Sequence, residues 1–275
     1  MIKRSSMIIN MVLSVLICIV VAFPIYWMIN VSLKNEIDLF QSPYRLIPEV
    51  FNLEGYVTNF ENGNIFIWIR NSVMVAIGSV VLNIIIASLA AFGISRFRFK
   101  FNRVMLFATV SSQMIAPALI VAPVYIMLNS LKMTNSYSGL TIVNIGLSLG
   151  FSIWILKGFF DNIPMELDEA AYIDGCSKLR TFCSVIIPLS TPVLISVVLI
   201  TFFDIYNEYM FASTLISNAN LWLGTSGIAS NTSRVGSDWS VTFSQTALFC
   251  VIPILFYFIF QRYIVKGLTS GAVKG

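Results

Sequence analysis

The stretch that decides the fold is Asp161–Pro188, which reads DNIPMELDEAAYIDGCSKLRTFCSVIIP and lies between two long apolar runs. Five of the 13 acidic residues in the chain fall within it: Asp161, Glu166, Asp168, Glu169 and Asp174. The chain is 57% hydrophobic, so this concentration of charge predicts a solvated loop between two buried segments. The stretch holds no catalytic constellation, which favours a docking surface for another protein.

Composition places the chain among membrane proteins. It has 275 residues, 11% of them charged, and a mean hydropathy of +0.84. The absence of histidine removes the commonest general base and metal ligand. The cysteines (Cys18, Cys176, Cys183, Cys250) lack CxxC spacing, so neither a metal site nor a disulfide framework is indicated. No long basic tract indicates a nucleic-acid partner.

Apolar runs of roughly 20 residues recur six times, and each is long enough to cross a bilayer as a helix. The predicted spans are about 7–33, 72–94, 104–128, 140–160, 186–209 and 241–265. The first run is too long for a secretory signal core and is interpreted as a retained anchor helix. The sequence therefore predicts an all-α integral membrane protein, with residues 1–275 forming a single transmembrane domain.

The distribution of basic residues orients these spans. With the N-terminus inside, twelve of the 17 lysines and arginines fall in inner segments and five in outer ones. Since positive charge accumulates on the cytoplasmic side, this asymmetry predicts cytoplasmic termini. It also places the loop 161–187 and the tail 266–275 in the cytoplasm.

The loop contains a recognisable pattern. Glu169-Ala-Ala171 is followed by three residues, Gly175, nine residues and Val185-Ile-Ile-Pro188. This resembles the EAA motif of ABC importer permeases, which reads EAA, three residues, G, nine residues and I-x-L-P. Other stretches resemble the carbohydrate-uptake permeases of the maltose-permease type: 71–76, 90–99, Trp154-x-Leu156 with Phe159-Phe160, and the tail 267–275. The resemblance implies the type I ABC importer permease fold, with six transmembrane helices and a cytoplasmic coupling-helix loop.

The local chemistry of the loop predicts a helix–turn–helix knob. Pro164 is suited to open a short helix, and Gly175 can adopt φ > 0 and turn the chain into a second helix from Ser177 to Ile187. Ala170 and Ala171 leave the backbone open to close approach. An interfacial helix pair that only caps the bundle would show the same amphipathic pattern, but the spacing match favours docking. The resemblance implies an ATPase-coupling role for Glu169, Ala170, Ala171, Asp174, Gly175 and Pro188.

The ATPase that supplies the energy for transport is predicted to be a separate chain. The sequence contains no GxxxxGK[ST] phosphate-binding loop and no nucleophile–base pair. We therefore expect no cofactor on this chain, and the resemblance places ATP and Mg²⁺ on a partner ATPase. It further implies that the tail residues Gly271, Ala272, Val273 and Lys274 reach towards that ATPase.

Polar residues within the apolar spans are candidates for a substrate pathway, because such groups usually face a cavity or the bundle interior. They are Asn83, Gln113, Asn144, Asp204, Asn207 and Glu208. For each one singly, a hydrogen bond between helices is an equally good interpretation. Asp204 and Glu208 share a helical face.

The leading functional hypothesis is a permease subunit that translocates a carbohydrate across the prokaryotic cytoplasmic membrane. The resemblance implies as partners a homologous second permease, a dimer of ATPase subunits and an extracytoplasmic solute-binding protein. A permease for a non-sugar solute and a self-sufficient secondary transporter are the alternatives. Few intramembrane acids and no evident internal repeat disfavour the latter. A membrane enzyme is disfavoured by the lack of paired catalytic residues.

Overall fold

The protein is helical throughout the residues that the structure describes. The computed structural model describes residues 4–39, 45–97, 100–232 and 238–272. Helices α1 to α14 are, in order, Arg4–Ser32, Glu36–Leu39, Glu54–Asn62, Asn64–Arg96, Asn102–Ser112, Pro117–Ser130, Tyr137–Phe160, Glu166–Ile173, Lys178–Thr181, Ile187–Leu189, Thr191–Tyr206, Met210–Leu215, Gly224–Thr232 and Trp239–Ala272. A π-helical segment, Phe182–Ile186, joins α9 to α10. The predicted all-α fold is confirmed.

Four helices are long and apolar enough to cross a membrane alone: α1 from Asn10, α4, α7 and α14 as far as Arg262. Two further spans exist if each of two bent helix pairs counts as one crossing. The pair α5–α6 is bent by 98°, and Lys178–Leu189 meets α11 at 79°. The sequence predicts a span over 104–128 that is broken by Pro117 and Pro123, and a further span over 186–209. The structure has a break directly before Pro117 in the first and a bend near the start of the second.

Proline explains the first break. A residue that precedes proline is driven out of the α region by the proline ring, and Ala116 is extended, with φ −64° and ψ 129°, directly before Pro117. The break leaves only nine residues of α5, Val104–Ser112, in its half of the pair. At 1.5 Å per residue these cover about 14 Å, roughly half of the hydrocarbon thickness. Gln113 lies at this break.

The second bend also lies among prolines. Pro188, in α10, has no N–H to donate to the preceding turn. The π-helical segment Phe182–Ile186 comes directly before α10, and the chain turns after it at Ser190. The Ser190 hydroxyl donates to the Ile186 carbonyl at 2.7 Å. Helix α11 then runs from Thr191 to Tyr206, so the straight helix is shorter than the predicted span 186–209.

The chain divides into two compact units. The first comprises Met1–Ile67 and Gly227–Ile252. Here an amide network fixes α3 against α14: Asn59 Nδ2 donates to Ser244 Oγ at 2.8 Å, and Gln245 Nε2 donates to Asn59 Oδ1 at 2.7 Å. By contrast, an 18-residue apolar window of α1 has no buried residue. Its surface is therefore available to lipid or to another subunit.

The second unit comprises Trp68–Ser226 and Pro253–Gly275 and has an apolar cluster at each end. One cluster joins α4, α7 and α11 to the loop 161–188, through residues such as Phe92, Phe160 and Phe182. The other packs α6 and α7 against α12, around Leu128, Leu140 and Phe211. Between them, buried Asn83 donates to Ser152 Oγ at 2.7 Å and links α4 to α7.

Gly150 permits the closest approach of α5 to α7. A Cβ atom there would clash with the Thr109 carbonyl oxygen and lie 2.9 Å from Gln113 Nε2. At Gly146, the other glycine of the GLSLG pattern, a Cβ atom would meet nothing within 4 Å. Tight packing in this pattern therefore depends on Gly150 alone.

We expect Gly150→Val to destabilise the protein by about 1–3 kcal/mol, since overpacked side chains force helices apart. The matched control Gly146→Val should leave stability unchanged, because its side chain enters open space. Thermal unfolding of both variants in the same detergent measures the difference. Equal melting temperatures would contradict the close packing of α5 on α7.

Candidate functional site

The loop 161–188, called here the EAA loop, folds as the helix–turn–helix that its residues predict. Helix α8 begins at Glu166, two residues after Pro164, and ends at Ile173, and Gly175 just beyond it has φ +80°. The N–H of Cys176 bonds to the Ala171 carbonyl at 2.9 Å and that of Gly175 to the Tyr172 carbonyl at 3.0 Å. These two bonds form a Schellman cap. The Ser177 hydroxyl then caps α9 by accepting from the Arg180 N–H at 3.4 Å.

The outer surface of α8 combines acids with large apolar side chains. Glu169, Ala170, Asp174 and Gly175 are exposed, as is Pro188 in α10. Beside them Ile173 is 84% exposed and Tyr172 is 75% exposed. Exposed apolar side chains clustered on a polar loop are typical of a protein interface.

Ala171 differs from the expectation that both alanines face a partner. It is 7% exposed and packs inward. Ala171 lies about 100° further round the helix than Ala170, and this rotation brings it onto the buried side of α8. Only Ala170 offers the open backbone that the sequence suggested.

Arg96 anchors the EAA loop to two spans, a role that the sequence did not reveal. The Nε atom of this last residue of α4 lies 2.9 Å from Asp168 Oδ2, an ion pair with 8% and 22% of the two side chains exposed. Its Nη1 donates to the Phe160 carbonyl at 3.0 Å and its Nη2 to the Ile163 carbonyl at 3.1 Å. One guanidinium therefore holds together the ends of α4 and α7 and helix α8.

Asp161 makes a second connection at the root of the loop. It accepts from the Ser95 hydroxyl at 2.7 Å and pairs with Lys157 at 2.5 Å. At the start of α9, Lys178 Nζ lies 4.3 Å from the centre of the Phe97 ring, which is a cation–π geometry. A cavity of about 330 Å³ lies beside α8, lined by Arg96, Phe97 and Lys178 and also by Asp168, Glu169, Tyr172 and Ile173 of this helix.

A polar cavity of about 220 Å³ lies in the transmembrane part of the second unit. It is lined by residues of α7, the end of α11 and the α5–α6 break: Gln113, Asn144, Leu147, Ser148, Phe151, Asp204, Ile205 and Glu208. Four of the six predicted pathway residues are thus brought together. Broken helices gather polar groups in this way in transporters, because free backbone groups need a wet or protein-lined space.

The other two predicted pathway residues lie elsewhere. Asn83 is used in the bond to Ser152 described above, and Asn207 is exposed and donates to the Phe203 carbonyl at 2.9 Å. Neither lines the polar cavity. Of the predicted tail contacts, Gly271 and Ala272 end α14, while Val273 and Lys274 lie outside the described residues.

The fold and the EAA loop together agree with the class that the sequence predicts, a membrane-spanning subunit of a transport system. The chain belongs to the family described as binding-protein-dependent transport system inner membrane component, whose model matches residues 83–270. It is therefore an ABC transporter permease, and its family membership implies a separate ATPase and a solute-binding protein.

The relatives extend this identification over nearly the whole chain. The trehalose/maltose transport system permease protein MalG of Thermococcus litoralis is 32% identical over 99% of this chain and 98% of its own. The diacetylchitobiose uptake system permease protein DasC of Streptomyces coelicolor is 32% identical over 96% of both chains. A chain of the crystal structure of a bacterial ABC transporter involved in import of the acidic polysaccharide alginate has the same fold, with a TM-score of 0.81, 20% identity and coverage of 96% of this chain and 99% of that chain.

Proposed function

We propose that this protein translocates a carbohydrate across the prokaryotic cytoplasmic membrane as one permease of an ABC importer. Its relatives named for trehalose/maltose and diacetylchitobiose transport support a sugar substrate, and an oligosaccharide fits both. ATP and Mg²⁺ bind to the partner ATPase, because this sequence has no phosphate-binding loop.

The observation that carries the coupling mechanism is the set of contacts from Arg96 to Asp168 and to the Phe160 and Ile163 carbonyls, called here the Arg96 clamp. The exposed face of α8 meets the ATPase through Glu169, Ala170 and the apolar tip at Tyr172 and Ile173. Closure of the ATPase dimer displaces α8, and the Arg96 guanidinium carries this displacement into the ends of α4 and α7. Rigid links are needed here, since a loose loop would absorb the movement.

The remaining partners follow from surfaces that the chain leaves uncovered. The exposed apolar faces of α1 and α4 accommodate lipid and a homologous second permease. Both termini and the EAA loop are cytoplasmic, as the charge asymmetry of the sequence indicates. The tail residues Gly271, Ala272, Val273 and Lys274 are proposed as contacts of the ATPase. The solute-binding protein docks on the opposite side.

Reconstitution tests the proposal. We expect proteoliposomes containing both permeases, the ATPase and the binding protein to accumulate radiolabelled maltose, trehalose or N,N′-diacetylchitobiose only with ATP. Vesicles lacking the ATPase are the control. Uptake without the ATPase, driven by a proton or sodium gradient, would establish a secondary transporter instead. ATP-dependent uptake of an amino acid but of no sugar would contradict the carbohydrate assignment.

A further inference from the structure

The polar cavity has the chemistry of a binding site as well as a position in the transmembrane part of the chain. Asn144 is 2% exposed, and its Oδ1 atom is buried without a hydrogen-bond partner among the described residues. A buried polar atom left unpaired costs roughly 1–3 kcal/mol. Asn144 lines the polar cavity, so rotation of its side chain would bring this oxygen to a ligand hydroxyl or amide placed there.

Glu208 is held rigidly at the rim. One carboxylate oxygen accepts from the Phe211 N–H at 2.7 Å and the other from the Ala212 N–H at 2.8 Å. The Met210 N–H also bonds to this carboxylate, which leaves one of its roughly four lone-pair sites for a further donor. Asp204 lies one helical turn earlier, at the end of α11, and is exposed towards the same space.

The lining therefore presents acceptors, one aromatic face and negative charge. Gln113 is positioned by a bond from its Nε2 to the Leu147 carbonyl at 2.9 Å. Phe151 supplies the apolar wall that ligand sites combine with a few polar groups. Among the described residues that line the cavity none is basic, so nothing there would pair with an anionic substituent.

We propose that this cavity is a subsite for one uncharged, hydroxyl-rich sugar ring, and that Asp204 and Glu208 exclude anionic sugars such as uronates. The inference rests on the proposed carbohydrate function and adds the charge class of the substrate. Ring hydroxyls donate to the two carboxylates and to Asn144, while the ring face packs on Phe151. The volume, about 220 Å³, is below the roughly 300–1,000 Å³ of complete ligand sites, so other subunits supply the rest of an oligosaccharide path.

Thiol labelling in the assembled complex tests the charge of the cavity without knowledge of the natural sugar. Ser148→Cys places a thiol in the lining, in a background where the four native cysteines are serine. The probes are the cationic trimethylammonioethyl and the anionic sulfonatoethyl methanethiosulfonates. Exposed Ser213→Cys, outside the cavity lining, corrects for their intrinsic reactivities.

We expect labelling at position 148 to favour the cation roughly tenfold over the ratio at position 213, because clefts lined by one sign of charge concentrate the opposite ion. Adding Asp204→Asn and Glu208→Gln should remove this preference. Maltose, trehalose or N,N′-diacetylchitobiose should slow labelling, whereas digalacturonate should not.

An equal or anion-favouring ratio, or protection by digalacturonate, would overturn the exclusion of anions. Protection by none of the three neutral disaccharides would overturn the sugar subsite. ATP-dependent uptake is measured on the same preparation. If uptake persists while the labelling results fail, this inference is wrong and the proposed function stands.

Discussion

Replacing Arg96 by alanine is expected to lower ATP-dependent uptake at least tenfold while leaving basal ATP hydrolysis in place. The substitution removes the ion pair with Asp168 and the bonds to the Phe160 and Ile163 carbonyls at once. Breaking a buried pair by deleting one partner costs about 3 kcal/mol or more, because the remaining charge stays buried. Since about 1.4 kcal/mol is a factor of ten in an equilibrium, α8 would no longer hold one position relative to α4 and α7.

The diagnostic measurement is the ratio of ATPase activity with and without the substrate-loaded binding protein. Arg96→Ala should assemble with the ATPase yet lose this stimulation. Arg180→Ala is the matched control, since Arg180 is an exposed arginine in the same loop. Wild-type uptake by Arg96→Ala would show that the clamp transmits no movement.

Two milder variants keep the test decisive if Arg96→Ala fails to insert. Arg96→Lys keeps the charge but cannot supply the planar fork that reaches Asp168 and two carbonyls together, so we expect partial loss of coupling. Asp168→Asn removes only the ion pair and should also reduce the stimulation. Unchanged coupling in both variants, with normal assembly, would contradict the clamp.

The short-range features of the EAA loop could be predicted from sequence because they depend on single residues. Gly175 is required where φ is positive, and Ser177 caps the next helix through its own hydroxyl. The number of apolar runs likewise predicts six spans, since span length is set by bilayer thickness; among the described residues four are single helices, and six are reached if each bent pair is one span. The outward position of Ala170 rather than Ala171 follows from helix geometry, once the buried face of α8 is known.

The clamp could not be predicted in this way. Arg96 and Asp168 are 72 positions apart, and the basic turn after α4 is equally consistent with solvated charges. Only packing shows that Arg96 is 8% exposed and pointed at two carbonyls. The polar pathway residues were divided for the same reason: Asn83 and Asn144 look alike in sequence, but Asn144 lines the polar cavity, whereas Asn83 does not and donates to Ser152.

The bends in the two helix pairs could be predicted from the sequence only in part. Pro117 predicts an interruption near Ala116 because proline restricts the residue before it. The 98° angle between α5 and α6 depends on how α5 packs on α7, where Gly150 allows close approach. An unbroken helix over 104–128 would carry Gln113 within its length, whereas the break places Gln113 in the lining of the polar cavity.

Reversing the charge of Glu169 is expected to produce a loss of coupling as large as that of Arg96→Ala, by a different route. Glu169 is exposed in the isolated chain, so Glu169→Lys should change the stability of the permease by less than about 0.5 kcal/mol. At an interface the same carboxylate is desolvated against the partner, and losing such a charge costs roughly 2–5 kcal/mol. Binding-protein-stimulated ATP hydrolysis should therefore fall at least tenfold, with normal insertion.

Glu61→Lys is the control, because it makes the same charge change at an exposed position in α3.

Gly175→Val gives a second route to the same surface. A β-branched residue at φ +80° is strained, so the tip at Tyr172 and Ile173 is displaced while Glu169 is retained. Both loop variants should weaken co-purification of the ATPase, whereas Arg96→Ala should not. This contrast separates docking from transmission. If Glu169→Lys and Gly175→Val bound and stimulated the ATPase normally, the outer face of α8 would not be the docking surface, and the Arg96 clamp would have to act on some other contact.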